Sequence, residues 1–238
     1  MSPLQLGFIL LTIVAPPALW LVSRRLRSDR FDRTVCRAVA VILLIVEFAD
    51  LGTKWFDPGM PPGSALPMQL CDWALFAVAA ALWFRWQTCF EVSYFWGLAG
   101  TLQALFTPAI GADVALWRRA GFFMAHSGIV IGVVFLLLAM RMRPRLSSLP
   151  RVILWSEIYL ALALFANLLT NANYGFLTHK PENPSMLDWF SDQPWLYRLE
   201  INVTALVFFA VLYLPWFIWD RGTARNSSDP AASSTRPI

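Results

Sequence analysis

Two residues of this sequence, Cys71 and His126, have side chains that can carry out covalent catalysis. A thiolate is a strong nucleophile, and a nearby imidazole can take the thiol proton and later return it to a leaving group. Each residue lies near the start of a long apolar run, at a similar distance from the beginning of that run. We therefore predict an acyl transfer reaction, with Cys71 as nucleophile and His126 as general base and acid.

Further polar side chains lie at comparable depth in the neighbouring apolar runs. Such groups are costly in hydrocarbon, so they normally face the interior of a helix bundle or a watery cavity. One of Asp72, Asn171 and Glu200 can orient the histidine ring as the third member of a triad does. Gln69, Asn171 and Tyr174 can bind the ester or its oxyanion. The predicted substrate-binding or orienting residues are Gln69, Asp72, Gln103, Asn167, Asn171, Tyr174 and Glu200.

Several of these residues also have a structural explanation. Asn167 and Asn171 can hold helices together through hydrogen bonds, and Cys71 can be a small packing residue. Asp72 directly follows Cys71, so on a helix it points about 100° away from it. It can instead pair with an arginine or cap the helix. The sequence leaves both interpretations open.

The signatures of several other active sites are missing from the sequence. It has no Gly-x-Ser-x-Gly turn, no phosphate-binding loop and no His-x-x-x-His pair, which disfavours serine hydrolase, nucleotide and zinc chemistry. The cysteines at 36, 71 and 89 have neither metal-site spacing nor the pattern of a disulfide framework. We therefore predict no metal and no cofactor.

The composition indicates that the polar residues lie in a membrane protein. Hydrophobic residues make up 58% of the 238 residues and charged residues 14%, against about 25% charged in a typical soluble domain. A membrane span requires about 20 mostly apolar residues. Seven runs qualify, and they predict an all-α, polytopic protein with seven transmembrane helices: Leu4–Val22, Val35–Thr53, Ala65–Phe84, Phe90–Ile110, Gly121–Met140, Val152–Asn171 and Leu199–Trp219.

The positions of the arginines predict the orientation of these spans. Cytoplasmic loops are rich in Lys and Arg, and here arginines concentrate after the first and fifth runs and in the C-terminal tail. The N-terminus is therefore predicted outside and the C-terminus in the cytoplasm, with a transmembrane domain over 1–220 and a disordered tail over 221–238. The net charge of +4 then reflects topology, and we predict no nucleic-acid partner. In this orientation the polar side chains form a pocket near the outer leaflet.

Four segments resemble the YwaF-like family of bacterial integral membrane proteins. They are PMQLCDW (Pro67–Trp73), GLAGTLQALFTP (Gly97–Pro108), FFMAHSGIV (Phe122–Val130) and NANYGFLTHKPENPSMLD (Asn171–Asp188). The resemblance runs from the second to the seventh apolar run and implies a multi-pass protein of a bacterial inner (plasma) membrane.

A more distant similarity connects that family with eukaryotic transmembrane acyltransferases of ether phospholipids. It extends to intramembrane hydrolases of fatty-acid esters of hydroxy fatty acids. This similarity implies that Cys71 is the nucleophile and His126 the catalytic histidine. It further implies that a membrane phospholipid or a fatty-acyl ester is the substrate, while the choice between transfer and hydrolysis stays open.

Two other functions remain possible on the sequence alone. A small-solute transporter can use Glu47, Asp50 and Glu200 as proton or cation sites, although the inner half of the runs has few polar groups to continue a pathway. A non-catalytic scaffold or sensor can bind a partner through the aromatic residues of the last outer connection. The sequence does not determine the oligomeric state.

Overall fold

The computed structural model describes residues 1–57, 63, 65–111 and 114–227, with side chains as far as residue 222. Regular structure in these residues is entirely helical, which confirms the all-α class. The helices are α1 (Pro3–Leu26), α2 (Asp29–Phe56), α3 (Leu70–Phe84), α4 (Gln87–Trp96), a π-helical turn (Gly97–Thr101), α5 (Leu102–Phe106), α6 (Leu116–Leu138), α7 (Ser148–Thr170) and α8 (Pro194–Ser227). Two short 3-10 turns, Tyr174–Phe176 and Met186–Trp189, lie between α7 and α8.

Each of the seven predicted spans overlaps a helical segment, and the fourth consists of α4, the π-helical turn and α5 in succession. Four helices of the described chain are long and apolar enough to cross a membrane: α1, α6, α7 and residues Pro194–Gly222 of α8. The remaining segments are shorter or more polar, since α2 is charged near both ends and α3 has only 15 residues. The membrane class is therefore confirmed, while the number of seven spans and their orientation stay predictions.

Local capping interactions decide where several helices begin and end. The Ser2 hydroxyl accepts a hydrogen bond from the Gln5 amide at the start of α1, as N-cap serines commonly do. At the start of α3, one Asp72 carboxylate oxygen accepts from the Gln69 amide at 2.9 Å. This bond fixes Gln69 outside the helix, so α3 begins at Leu70 rather than at the predicted Ala65.

Helix α2 runs antiparallel to both α3 and α6. Against α3, the Phe48 and Phe76 rings are 6.3 Å apart, while the Arg37 guanidinium lies 5.5 Å from the Trp83 ring. Glycines of α6 also lie against α2. A Cβ added at Gly121, Gly128 or Gly132 would meet Val46, Leu43 or Val39, respectively, so the numbers rise along α6 as they fall along α2. Because α2 is antiparallel to both, α3 and α6 run parallel to each other.

The central helices approach closely through small residues, as is common inside membranes. A Cβ on Gly132 of α6 would come within 3.1 Å of the side chains of Val78 and Leu82 of α3. Alanines 74, 79 and 81 of α3 are likewise buried. The interior of the bundle is therefore formed where α3 meets α2, α4 and α6.

The outer helices expose apolar side chains where a soluble protein would expose polar ones. Examples are Ile13 of α1, Leu168 of α7 and Ile218 of α8, which are between 62% and 81% exposed. Such surfaces are stable against lipid and not against water. At its C-terminal end α8 continues through residues 221–227, which the sequence assigned to the disordered tail. Residues 228–238 of the predicted tail lie outside the described residues.

Candidate functional site

Cys71 lies in the first turn of α3, on the side of that helix that packs against α6. Residues 71, 75, 78 and 82 share one face at helical spacing, and Val78 and Leu82 of this set border Gly132 of α6. The thiol is half-buried and donates to an Asp72 carboxylate oxygen at 3.6 Å. Glu47 and Lys54 of α2 lie within electrostatic range of the sulfur.

His126 is buried in α6, with 5% of its surface exposed. Its Nδ1 lies 2.7 Å from the backbone oxygen of Phe122. Because a carbonyl can only accept a hydrogen bond, Nδ1 must carry the proton. The neutral ring therefore has its lone pair on Nε2, the atom that a general base uses. The Phe122 ring, with its centroid 4.0 Å from that of the imidazole, holds the side chain in place.

Cys71 and His126 occupy the same layer of the bundle. Gly132 of α6 borders Val78 of α3, and the two helices are parallel. The offset along the chain from His126 to Gly132 is nearly the same as the offset from Cys71 to Val78. At 1.5 Å per residue, the two levels agree to within about one helical turn, roughly 5 Å. No hydrogen bond joins the two side chains in the described part of the chain, since the thiol bonds to Asp72 and Nδ1 to Phe122. The structure thus brings the predicted pair onto neighbouring helices at one depth.

Asp72 holds α3 and the thiol and does not contact the histidine. One carboxylate oxygen accepts from the Gln69 amide, and the other accepts from the Cys71 thiol. Asp72 was also predicted as the residue that orients His126. No hydrogen bond between the two side chains supports that role in the described residues. The orienting contact of His126 comes instead from the Phe122 carbonyl of its own helix.

Asn167 and Tyr174 form a clasp at the outer end of α7. The Tyr174 amide donates to Asn167 Oδ1 at 2.7 Å, and Asn167 Nδ2 donates to the Tyr174 carbonyl at 3.1 Å. The Tyr174 hydroxyl donates to the Gly63 carbonyl and accepts from the Leu66 amide at 3.0 Å. Burial raises the pKa of this hydroxyl, so it stays protonated as a donor. These bonds tie the segment before α3 to the connection after α7.

Gln69 belongs to the same clasp. Its side-chain oxygen accepts from the Gly175 amide at 2.9 Å, and Gly175 has a positive φ of 65° that favours glycine. The Tyr174 hydroxyl donates to a backbone carbonyl, which leaves it no proton for an oxyanion. Only the side-chain oxygen of Gln69 is engaged by this contact, so the predicted role of its amide group stays a prediction.

The other three predicted site residues bond close to their own elements. Gln103 Nε2 donates to the Ala99 carbonyl at 2.7 Å, one turn earlier. Asn171 is exposed and ends α7 with a positive φ of 54°, which asparagine tolerates better than most residues. Glu200 accepts from the Ser191 amide at 2.6 Å and so fixes the last connection. None of the three contacts Cys71 or His126 in the described structure.

The carboxylates proposed for solute transport are also engaged. Asp50 pairs with Lys54 at 2.5 Å within α2, and Glu200 holds Ser191. Glu47 is buried at 6% exposure and lies within electrostatic range of Asp72 and Lys54. Glu47, Asp50 and Lys54 form one charged cluster beside Cys71 and Asp72.

Two shallow grooves lie on the surface beside α5 and the connection between α7 and α8, with volumes of about 410 and 370 Å³. They share Phe106, Thr107 and Pro184, so they are continuous. Gln103 lines the first groove and Phe123 the second, three residues before His126. Neither groove is lined by Cys71 or His126 themselves. The pocket predicted around Cys71 and His126 therefore stays a prediction.

Two contacts of the site have no distinct signal in the sequence. The Tyr159 hydroxyl of α7 donates to the Met68 carbonyl at 3.2 Å, and its ring lies edge-on to Trp73 at 5.5 Å. Lys54 joins the cluster around Cys71 from the end of α2. A lysine near a helix end is ordinary in membrane proteins, and Tyr159 lies in the middle of an apolar helix with no motif around it, so only a three-dimensional structure reveals these contacts.

Comparison with known proteins assigns the chain to a family. A family model described as the TMEM164 family matches residues 1–213. No curated protein and no solved structure matches the chain. The resemblance to the YwaF-like family is therefore wrong as an assignment, because short apolar segments with a few polar residues are weakly specific. The bacterial inner membrane that it implied stays a prediction. The matched region includes the helices that carry Cys71 and His126, and the chain belongs to the TMEM164 family.

Proposed function

We propose that this protein transfers or hydrolyses the acyl group of a membrane lipid ester, with Cys71 as nucleophile and His126 as general base and acid. One observation carries the proposal: His126 Nδ1 lies 2.7 Å from the Phe122 carbonyl, so a neutral ring holds its proton on Nδ1 and has Nε2 as its free base. His126 lies at the same depth in the bundle as Cys71, and the side of α3 that carries Cys71 packs against α6.

The reaction proceeds in two balanced steps. His126 Nε2 takes the thiol proton, the thiolate attacks the ester carbonyl, and the carbon–oxygen bond of the ester breaks. The leaving alkoxide takes the proton from His126, and a thioester remains on Cys71. In the second step a hydroxyl group of another lipid, or water, attacks the thioester and gives its proton to His126, which returns it to the sulfur. A lipid hydroxyl gives transfer, and water gives hydrolysis.

The proposal requires the thiol proton to change partners. In the structure the thiol donates to Asp72 over a long distance of 3.6 Å, which is a weak bond for sulfur. A turn about the Cα–Cβ bond of Cys71 directs the sulfur away from Asp72 and toward α6. The neighbouring carboxylates of Glu47 and Asp72 disfavour a free thiolate by repulsion. A mechanism in which His126 takes the proton only as the sulfur attacks avoids this cost.

The proposed topology has seven spans, with the N-terminus outside and the C-terminus in the cytoplasm. It is supported by the helical segments found at all seven predicted positions and by the arginines of the inner connections. In this orientation the groove between α5, α6 and the last connection opens at the level of the outer leaflet. The ester carbonyls of a phospholipid lie near the headgroup boundary, so a lipid can present its ester there.

The direct test is turnover of a phospholipid by the purified protein in nanodiscs. Cys71→Ala and His126→Ala are each expected to abolish release or transfer of the acyl chain. Cys89→Ala and His179→Ala are the matched controls, because Cys89 is another free thiol and His179 lies in the exposed outer connection. Both controls are expected to keep full activity. Full activity of Cys71→Ala would overturn the covalent mechanism.

A further inference from the structure

Thr101 has a buried hydroxyl with no hydrogen-bond partner among the described residues. The residue is 3% exposed, and Oγ1 is one of few buried side-chain atoms left unpaired in that part of the chain. Elsewhere in the bundle, hydroxyls in apolar helices donate to the carbonyl one turn earlier at 2.7 to 2.9 Å, as Thr12, Ser156 and Thr170 do. A buried polar group without a partner is costly, so its retention calls for an explanation.

The π-helical turn explains why this hydroxyl is free. Thr101 ends the turn, and the carbonyl four residues earlier belongs to Gly97. In the π-helical pattern the amide of Leu102 donates to that Gly97 carbonyl. The Gly97 carbonyl thus follows the π-helical register, and it is out of the α-helical alignment in which a hydroxyl bonds the carbonyl four residues earlier. Single π turns inside α-helices are frequent at functional sites.

The neighbours of this turn place Thr101 between the helices of the proposed catalytic pair. A Cβ on Gly97 would lie 3.0 Å from Ile129 of α6, and one on Gly100 would lie 3.2 Å from Leu70 of α3. Thr101 is the residue after Gly100, and it lies nearly one full π-helical turn after Gly97. It therefore lies on the side of the turn between these two contacts, toward the seam where α3 and α6 meet.

The same contacts fix the depth of Thr101. Leu70 is adjacent to Cys71, and Ile129 lies three residues after His126. Thr101 thus occupies the layer of both residues on a third helical segment. Its hydroxyl is an unengaged donor at the level where an ester would meet the thiol.

We propose that the Thr101 hydroxyl donates a hydrogen bond to the carbonyl oxygen of the lipid ester as Cys71 attacks it. This inference rests on the proposed function. During attack the carbonyl oxygen gains negative charge, and a fixed donor in a dry site stabilises that charge more than it stabilises the ester before reaction. The Tyr174 hydroxyl, which the sequence suggested for this task, already donates to the Gly63 carbonyl.

The test is the rate at which Cys71 becomes acylated, followed by intact-protein mass spectrometry with a short-chain phosphatidylcholine as probe. Thr101→Val keeps the shape and removes the donor, so the rate is expected to fall by about 10²-fold. The concentration of probe at half-maximal rate is expected to stay unchanged. Thr101→Ser restores a hydroxyl and is expected to recover most of the rate. Thr101→Val is also expected to melt no lower than the wild type, because the hydroxyl has no partner to lose.

The possible failures are distinguishable. If the wild type forms a thioester on Cys71 and Thr101→Val forms it equally fast, the role of Thr101 is refuted and the proposed function stands. If Thr101→Val and Thr101→Ser are equally slow, the loss comes from packing, and the role is again refuted. If the wild type forms no thioester on Cys71, the proposed function fails, and the role of Thr101 fails with it.

Discussion

Replacing Asn167 by leucine is expected to release Tyr174 and the outer connection that it anchors. Asn167 is 4% exposed and makes two hydrogen bonds to the Tyr174 backbone, at 2.7 and 3.1 Å. A hydrogen bond contributes about 1 kcal/mol net, and a buried group left without a partner costs about 1–3 kcal/mol. Leucine has a similar size but removes both partners, so local opening is expected to become easier by roughly 2–4 kcal/mol.

The assay is hydrogen exchange at the Tyr174 amide in nanodiscs, because this amide loses its acceptor directly. At 1.4 kcal/mol for each factor of ten, exchange is expected to accelerate roughly 30- to 1000-fold. Asn202→Leu is the matched control. Its amide bonds within its own helix to the Arg198 carbonyl, so exchange at Tyr174 is expected to stay unchanged. Asn167→Asp keeps the acceptor for the Tyr174 amide and is expected to give an intermediate rate.

An exchange rate within about a factor of three of the wild type in Asn167→Leu would refute this reasoning. It would show that the two bonds do not hold the connection closed. Asn167 would then return to the residues available for binding substrate, as the sequence suggested.

Two further predictions concern charged groups. Glu91 is fully buried, accepts a hydrogen bond from Gln87 and lies 3.3 Å from the Arg151 guanidinium. Because Arg151 is 39% exposed, Arg151→Ala is expected to cost roughly 1–3 kcal/mol in detergent unfolding. Adding Glu91→Gln should recover part of that loss, and an unchanged midpoint for Arg151→Ala would contradict the pairing. A hydrogen bond from Lys180 lowers the pKa of Asp192, so its contribution is present above the ordinary aspartate pKa of about 3.9 and lost as the pH falls through the lowered folded-state value. The protection of amides in the last connection, that is, their exchange rate relative to the intrinsic rate at the same pH, is therefore expected to fall at acidic pH in the wild type. An equal loss of protection in Asp192→Asn would exclude this carboxylate as the cause.

The helical architecture could be predicted because long apolar runs leave few alternatives. In hydrocarbon every backbone amide must be paired within its own segment, so such a run forms a helix. The end of α7 at Thr170, for example, lies within a residue of the predicted end at Asn171. The start of α3 was predicted too early in the chain. The Asp72 side chain accepts a hydrogen bond from the Gln69 amide, and this cap fixes the beginning of the helix at Leu70. A cap of this kind depends on side-chain geometry, which apolar periodicity does not show.

The candidate site could be predicted only in part. The sequence placed Cys71 and His126 at one depth, and the structure puts them on adjacent parallel helices. It could not distinguish a polar side chain facing a cavity from one binding the backbone of a neighbouring segment. Gln69 therefore looked like a substrate-binding residue and is part of the clasp with Gly175. Thr101 was overlooked, since the π-helical turn that frees its hydroxyl has no signature in the sequence.

The acyl-enzyme itself is the most direct test of the proposed mechanism. The purified protein is incubated with a phosphatidylcholine of defined chain length, digested, and mapped by mass spectrometry with and without hydroxylamine. We expect one hydroxylamine-labile acyl group on the peptide that contains Cys71, and none in His126→Ala, while the thiol of Cys89 stays free. An acyl group on Cys89 instead, or lipid turnover with no adduct at Cys71 even under rapid quenching, would contradict the account.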